Sequence, residues 1–272
     1  MKFAWGTRLL RTGTIAVLTC APLMAQQPIR IFIRSSAKTH GAGPIHDYPA
    51  FLKEWKVLLA EKGAVVAGDQ RFPSDEELAK TDVLLWYSSD GGNVAPEDRT
   101  RLDTYLQRGG GLVVIHDAMC GNDPLWQASI IGAAKQHGER NSHVGKFTLA
   151  FTDRNHPIIG GMADLEMNDE MFFLLRAEGL KPDGEGKPVM WTYGMKVSPE
   201  IHVLATTPDP NGNIVPQMWT FENAMTGGKP YRVFVSLEGH ALANFSTPQF
   251  QGILLRAIAW TTNRPVDTLI KQ

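Results

Sequence analysis

The feature that most constrains this chain is an alternation between residues 29 and 116, where short apolar runs take turns with segments of helical spacing. "IRIFIR" (29–34) leads through a loop into "YPAFLKEWKVLLAEKG" (48–63), in which Phe51, Leu52, Trp55, Leu58 and Leu59 share one helical face before Gly63. "AVVAG" is a second strand run, "SDEELAK" a short helix opened by acidic residues, and "DVLLWY" (82–87) a third strand. "PEDRTRLDTYLQRGG" (96–110) begins on a proline suited to a first helical turn, turns Leu102 and Leu106 inward and stops on glycines. "GLVVIH" (111–116) is the fourth strand. Strands that alternate with helices in this way pair in parallel through crossovers, so the pattern predicts a doubly wound, mostly parallel α/β sheet with helices on both faces.

The second half has another rhythm. Strands are expected at 146–152, 187–192, 201–206, 214–221 and 231–236, separated by turns such as "PDPNG" and "TGGKP". "TPQFQGILLRAIAW" (247–260) closes the chain as a helix with Phe250, Ile253, Leu254, Ala257 and Ile258 on one face. No internal repeat, low-complexity segment or linker interrupts it. One continuous α/β domain with a β-rich C-terminal half is therefore expected over 26–272.

Residues 1–25 read as a secretory signal peptide: Lys2, Arg8 and Arg11 precede an apolar run from Thr14 to Ala25, with Gln26 and Gln27 beyond. The run is shorter than the roughly 20 residues that span a bilayer as a helix. Cleavage after Ala25 and a periplasmic or secreted protein are expected, with lipid attachment at Cys20 as the alternative. The 27 Lys and Arg less these three leave 24 against 28 Asp and Glu, a formal charge of −4 that argues against nucleic acid or an anionic membrane surface as partner. Only Cys120 then remains, so no internal disulfide forms. A chain of 272 residues that is 43% hydrophobic buries a core without needing a metal to fold, so a metal here would serve chemistry.

Ligands of doubly wound sheets bind beyond the carboxyl ends of the parallel strands. Three loops occupy those ends, "SSAKTHGAGPIHD" (35–47), "YSSDGGNVA" (87–95) and "HDAMCGNDP" (116–124), and they are read as the rim of one pocket. His116 stands where an apolar strand leaves the core, a place from which an imidazole ligates metal or transfers a proton. The Gly91-Gly92 pair has neither the lysine nor the helix opening of a phosphate loop.

The ordered series "THGAGPIHDYPAF", "GGGLVVIHDA", "IGAAKQHGERNSHVGKF", "NHPIIGGM", "NDEMFF", "PQMWTF", "RVFVSLEGHAL" and "ILLRAIAW" resembles the ThuA-like family of trehalose-utilisation type, from about residue 29 to 262. The resemblance implies a flavodoxin-like fold similar to class I glutamine amidotransferases. It also implies a role in sugar catabolism through oxidised (3-keto) sugars, in some members by divalent-metal-dependent cleavage of 3-keto-glycosides. The amidotransferases carry a nucleophilic cysteine on the turn after the "GGG" strand. Here His116 and Asp117 hold that place and Cys120 comes four residues later, which speaks against glutaminase chemistry.

With the family as guide, the metal-ligand candidates are His46 of "IHDY", His116, His143 of "NSHVGKF" and His240 of "EGHAL". His137 competes with His143, and His40 is a rim residue. Asp47 has the simpler reading of a helix cap. His156 is taken as structural, and His202, at a strand start, stays outside the candidates with it. In "NDEMFF", one of Asp169 and Glu170 reaches the pocket while the other caps or faces solvent. Histidines with one carboxylate suit zinc, manganese, cobalt or nickel better than calcium. The catalytic candidates are His116, His46 and Glu170: His116 or Glu170 removes the proton beside a 3-keto carbonyl, and His46 or His240 protonates the leaving group. Trp86, Tyr87, Trp126, Phe172 and Trp219 are candidates for a sugar-facing wall.

Three function classes follow. The first is a metal-assisted lyase or hydrolase of keto-glycosides, supplied by a partner sugar dehydrogenase in the same pathway. The second is a thiol hydrolase using Cys120. The third is a non-catalytic periplasmic sugar-binding module.

Overall fold

The computed structural model describes residues 1–2 and 27–270. Apart from Met1 and Lys2, the expected leader and Cys20 lie outside the described residues, among which no helix is long and apolar enough to cross a membrane.

Chain order runs β1 (Arg30–Arg34), α1 (Tyr48–Glu61), β2 (Val65–Asp69), α2 (Asp75–Ala79), β3 (Val83–Trp86), α3 (Pro96–Gln107) and β4 (Gly111–Ile115). It continues with β5 (Cys120–Gly121), α4 (Pro124–Ile131), β6 (Ala133–Gln136), β7 (Ser142–Phe151), β8 (Leu165–Phe172) and β9 (Arg176–Ala177). The last elements are β10 (Ile201–Pro208), β11 (Ile214–Ala224), β12 (Pro230–Ser236) and α5 (Pro248–Thr261). Nine strands make one sheet in the order β2-β1-β3-β4-β12-β11-β10-β7-β8. From β2 to β12 neighbours pair in parallel, and from β12 to β8 they pair antiparallel. The parallel half has the flavodoxin-like order, with β12 as its fifth strand.

Side-chain alternation divides the core into two layers. Ile31, Ile33, Leu85, Val113 and Phe234 pack with Phe51 and Trp55 of α1 and Ile253 and Leu254 of α5. Phe32, Leu84, Val114 and Val235 pack on the other face with Leu102 and Leu106 of α3 and Ile130 of α4. Strands buried on both faces must be apolar throughout, and "GLVVI" is buried at every position. The helix expected near the C-terminus buries each of its five predicted inward residues.

One expectation for the second half is corrected, and one long strand was not foreseen. Residues 187–192 form no strand: Pro188 removes a backbone donor, and Trp191 packs edge-on against Trp219 at 5.5 Å instead of joining the sheet. The strand β8 was hidden because its inward positions Leu165, Met167, Asp169 and Met171 include a buried carboxylate, which breaks the apolar alternation.

Candidate metal centre

The site begins where β4 ends. His116 has φ +52°, a left-handed backbone that costs an ordinary residue about 1–2 kcal/mol, and it turns the strand directly into the short 3₁₀ segment His116–Met119. The elbow lifts the imidazole out of the sheet at the ligand crevice. There it is fully buried, stacked on Phe172 with centroids 4.7 Å apart. Its Nδ1 lies 2.6 Å from the carbonyl oxygen of Leu237, which identifies Nδ1 as the donor and points Nε2 into the site.

His46 comes from the loop after β1. It too has positive φ, +50°, and its N–H donates to the His240 carbonyl at 2.9 Å, beside a bridge between Ile45 and Ala241. The next residue, Asp47, caps α1 by accepting from the Ala50 N–H, so the simple reading of that carboxylate holds. Residues in sparsely populated backbone regions cluster at functional sites, and two of the four converging side chains here are of that kind.

His46 Nε2 lies 3.0 Å from His116 Nε2 and 2.9 Å from His240 Nδ1. Glu170 reaches in from β8, its Oε2 3.0 Å from His240 Nδ1 and 3.5 Å from His116 Nε2. All four donor atoms lie within 4.8 Å of one another. Two bare imidazole nitrogens facing each other at 3 Å repel, so such contacts need a proton or a cation between them. Three imidazoles and a carboxylate are the donor set of zinc, manganese, cobalt or nickel, and they fit such an ion.

Asp117 forms the outer wall. It accepts from the Tyr48 hydroxyl at 2.8 Å and lies 3.4 Å from the half-exposed His40 and 3.8 Å from both His46 and His116. His40, His46 and Asp117 form a second converging group that shares His46. Burial opposes charge on Asp117 and Glu170, yet the neighbouring histidines hold both carboxyls well below the usual carboxylate range. Asp117 and Tyr48 were not among the sequence candidates. Their signal was adjacency, one residue past His116 and two past His46.

The expected ligand set changes at one position. His143 lies on β7 with its side chain toward solvent, outside the donor cluster, and the fourth donor is Glu170. Register explains this: Val144, not His143, pairs with Glu170 on β8. His137 pairs with Asp90. His156 accepts a backbone N–H from Ile158, and His202 sits 3.1 Å from Asp153, away from the cluster.

The expected aromatic wall does not form. Trp86, Tyr87 and Trp219 are at most 2% exposed: Trp86 lies in the layer packed on α3, Tyr87 among Tyr48, Phe51 and Phe245, and Trp219 against Trp191. Their polar atoms are spent internally: the Trp86 indole donates to Ser88, the Tyr87 hydroxyl to the Gly239 carbonyl, and the Trp219 indole to the Ile131 carbonyl. Trp126 is half-buried under the Arg99 guanidinium, 3.8 Å away. Phe172 does meet the site, as the floor beneath His116. The N–H groups of Gly91 and Gly92 donate to the carbonyls of Asp117 and Cys120, which leaves no cradle for phosphate.

Gly239 is required where it stands. Its φ is +142°, and a Cβ there would lie 2.8 Å from Ile115 Cγ2 and 3.1 Å from His116 Cβ. Gly239→Ala is expected to cost about 1–3 kcal/mol in urea unfolding and to weaken cation uptake, since the clash falls on the His116 elbow. Unchanged unfolding midpoint and uptake would show that the elbow tolerates displacement.

A sequence model described as ThuA, trehalose utilisation, matches residues 40–261. A search of curated proteins finds no match. Among solved structures, a ThuA-like protein from Bacteroides uniformis ATCC 8492 superimposes with a TM-score of 0.62 at 13% identity, covering 91% of this chain and 98% of that one. A cold-adapted beta-galactosidase from Rahnella sp. R3 gives 0.53 at 13% identity, covering 84% of this chain and 31% of that one. A glutamine amidotransferase from Thermotoga maritima gives 0.43 at 10% identity, covering 91% of this chain and all of that one. At 13% identity the likeness to the first two is one of fold.

Proposed function

Because the chain belongs to the ThuA, trehalose utilisation, family, we propose that it is a carbohydrate-active enzyme that cleaves oxidised (3-keto) glycosides with a divalent cation held by His46, His116, His240 and Glu170. The observation that carries this reading is the convergence of those four donors, from the exits of β1, β4 and β12 and from β8, within 4.8 Å at the carboxyl ends of the parallel strands. Such an ion, when bound, polarises a substrate oxygen and stabilises negative charge that develops next to the carbonyl.

The residues do the rest. In this reading His46, His116, His240 and Glu170 spend their lone pairs on the cation, and so they are ligands in place of the free acids and bases expected from the sequence. The groups left to move a proton are Asp117 and His40. Asp117 is held as an anion by Tyr48 and the histidines and sits 3.4 Å from His40 at the open side of the cluster. Removal of the proton at C2, next to a 3-keto carbon, drives elimination of the anomeric oxygen, and the departing oxygen takes a proton from the same polar rim. Attack of water on the same bond gives the hydrolytic outcome. We place this chemistry in the periplasm or outside the cell, on the strength of the leader pattern.

The thiol reading has little support. Cys120 is buried, and burial together with the adjacent Asp117 raises its thiol well above the usual range, so it stays protonated and poorly nucleophilic. Asp117 Oδ1 lies 3.8 Å from its sulfur.

The test is metal analysis of the purified protein combined with turnover of a 3-keto-glucoside before and after chelation. About one divalent ion per chain is expected, with turnover that chelation abolishes and re-addition restores. Turnover that resists chelation but is lost in Cys120→Ala would replace this reading with the thiol hydrolase. Sugar binding with no product would leave a binding module.

A further inference from the structure

Resting on the metal centre proposed above, we infer that Asp169 is a positioning residue that sets the spacing of two of its ligands, Glu170 and His240. The two ligands have no direct link through the sheet. Glu170 lies on β8, the end strand, while His240 follows β12, and β11, β10 and β7 stand between them in the strand order. No ladder hydrogen bond therefore correlates their positions.

Asp169 spans that gap with one side chain. Its Oδ1 accepts the backbone N–H of Glu170 at 2.7 Å and that of His240 at 2.9 Å, so both ligands hang from a single oxygen. Its Oδ2 accepts the Gly239 N–H at 3.2 Å and the Asn244 side-chain N–H at 2.5 Å. The carboxylate is 1% exposed, neither a cap nor facing solvent as the sequence led one to expect, at a strand position whose inward neighbours are Leu165, Met167 and Met171. An apolar residue would fill that position without the cost of burying a charge. What the carboxylate adds is a tie between β8 and the backbone at the exit of β12, beside the bond from Asn244 to the Asn168 carbonyl, with Glu170 Oε2 3.0 Å from His240 Nδ1.

The experiment is titration with Co²⁺ of the chelator-treated protein, read by calorimetry and by the visible absorption of the bound ion. Asp169→Asn keeps one acceptor oxygen but turns an amide toward donors, and it is expected to lower Co²⁺ affinity by about 10–100-fold, the usual scale for a residue that orients ligands. At saturating Co²⁺ its spectrum is expected to differ from wild type, a signature that general loss of stability does not produce in a folded protein. Asn244→Ala, which retains the buried carboxylate, is expected to show a smaller loss in the same direction and serves if Asp169→Asn does not fold. Wild-type affinity and spectrum in the folded variants would overturn the inference while leaving the metal centre standing. Failure of the wild-type protein itself to bind Co²⁺ would overturn both, and the two results are distinct.

Discussion

His116→Ala is expected to abolish stoichiometric cation uptake and to lower turnover of a 3-keto-glucoside by about a thousandfold or more, the scale for losing a group that organises the reacting charge. Of the four donors it is the most deeply buried. It is fully buried, donates to Leu237, stacks on Phe172 and faces both His46 and Glu170. The alanine variant also leaves the Leu237 carbonyl without its donor, at about 1–3 kcal/mol, and keeps an unfavourable positive φ. His116→Gly removes the backbone strain and separates the two effects: it should be closer to wild type in urea unfolding and equally devoid of uptake. Metal analysis and circular dichroism on both variants check this, and full cation content in either would remove His116 from the ligand set.

The second large effect is on pH. Burial works against charge on His116, but Asp117, Glu170 and Asp169 outweigh it and push its pKa up to about 9. Burial, and then the charge on His116, push His46 down to about 3. Near neutrality the cation-free cluster therefore holds a proton on His116 while His46 is a free donor. A divalent ion must displace that proton, so uptake at neutral pH is expected to release about one proton, and affinity is expected to rise about tenfold per pH unit up to about pH 9. Calorimetry in buffers of different ionisation enthalpy measures both quantities, and affinity flat between about pH 6.5 and 8.5 would contradict the linkage. For the cation-free protein the sign reverses. The folded state holds the His116 proton more tightly than an unfolded histidine of pKa about 6.5, so this contribution to stability is complete below about pH 6.5 and is lost as pH rises through about 9.

The parallel half was legible because its signals are local. Apolar runs buried on both faces, the proline that opens α3 and the apolar stripe of α1 are written in consecutive residues. Strand exits were legible for the same reason, and with the family resemblance they led to His46, His116 and His240. The antiparallel half was harder to read. Its edge strand β8 carries Asp169 in a core position, and 187–192 has strand composition but a proline and a tryptophan committed elsewhere. The aromatic residues misled because a ring at the end of a strand has the same sequence signature whether it faces solvent or lies under a helix.

What the sequence by itself determined is the alternating architecture and the delivery of histidines to the ends of parallel strands, since periodicity and strand-end position depend on near neighbours in the chain. What only the tertiary structure decided is which donors meet: Glu170 in place of His143, Asp117 as the outer wall, and Asp169 as the tie between β8 and the exit of β12. The first and last of those choices rest on β7–β8 register and on bonds from backbone N–H groups to the Asp169 carboxylate across about 70 positions of chain. A one-residue change of register carries a side chain to the opposite face of a sheet, and no local pattern fixes that register.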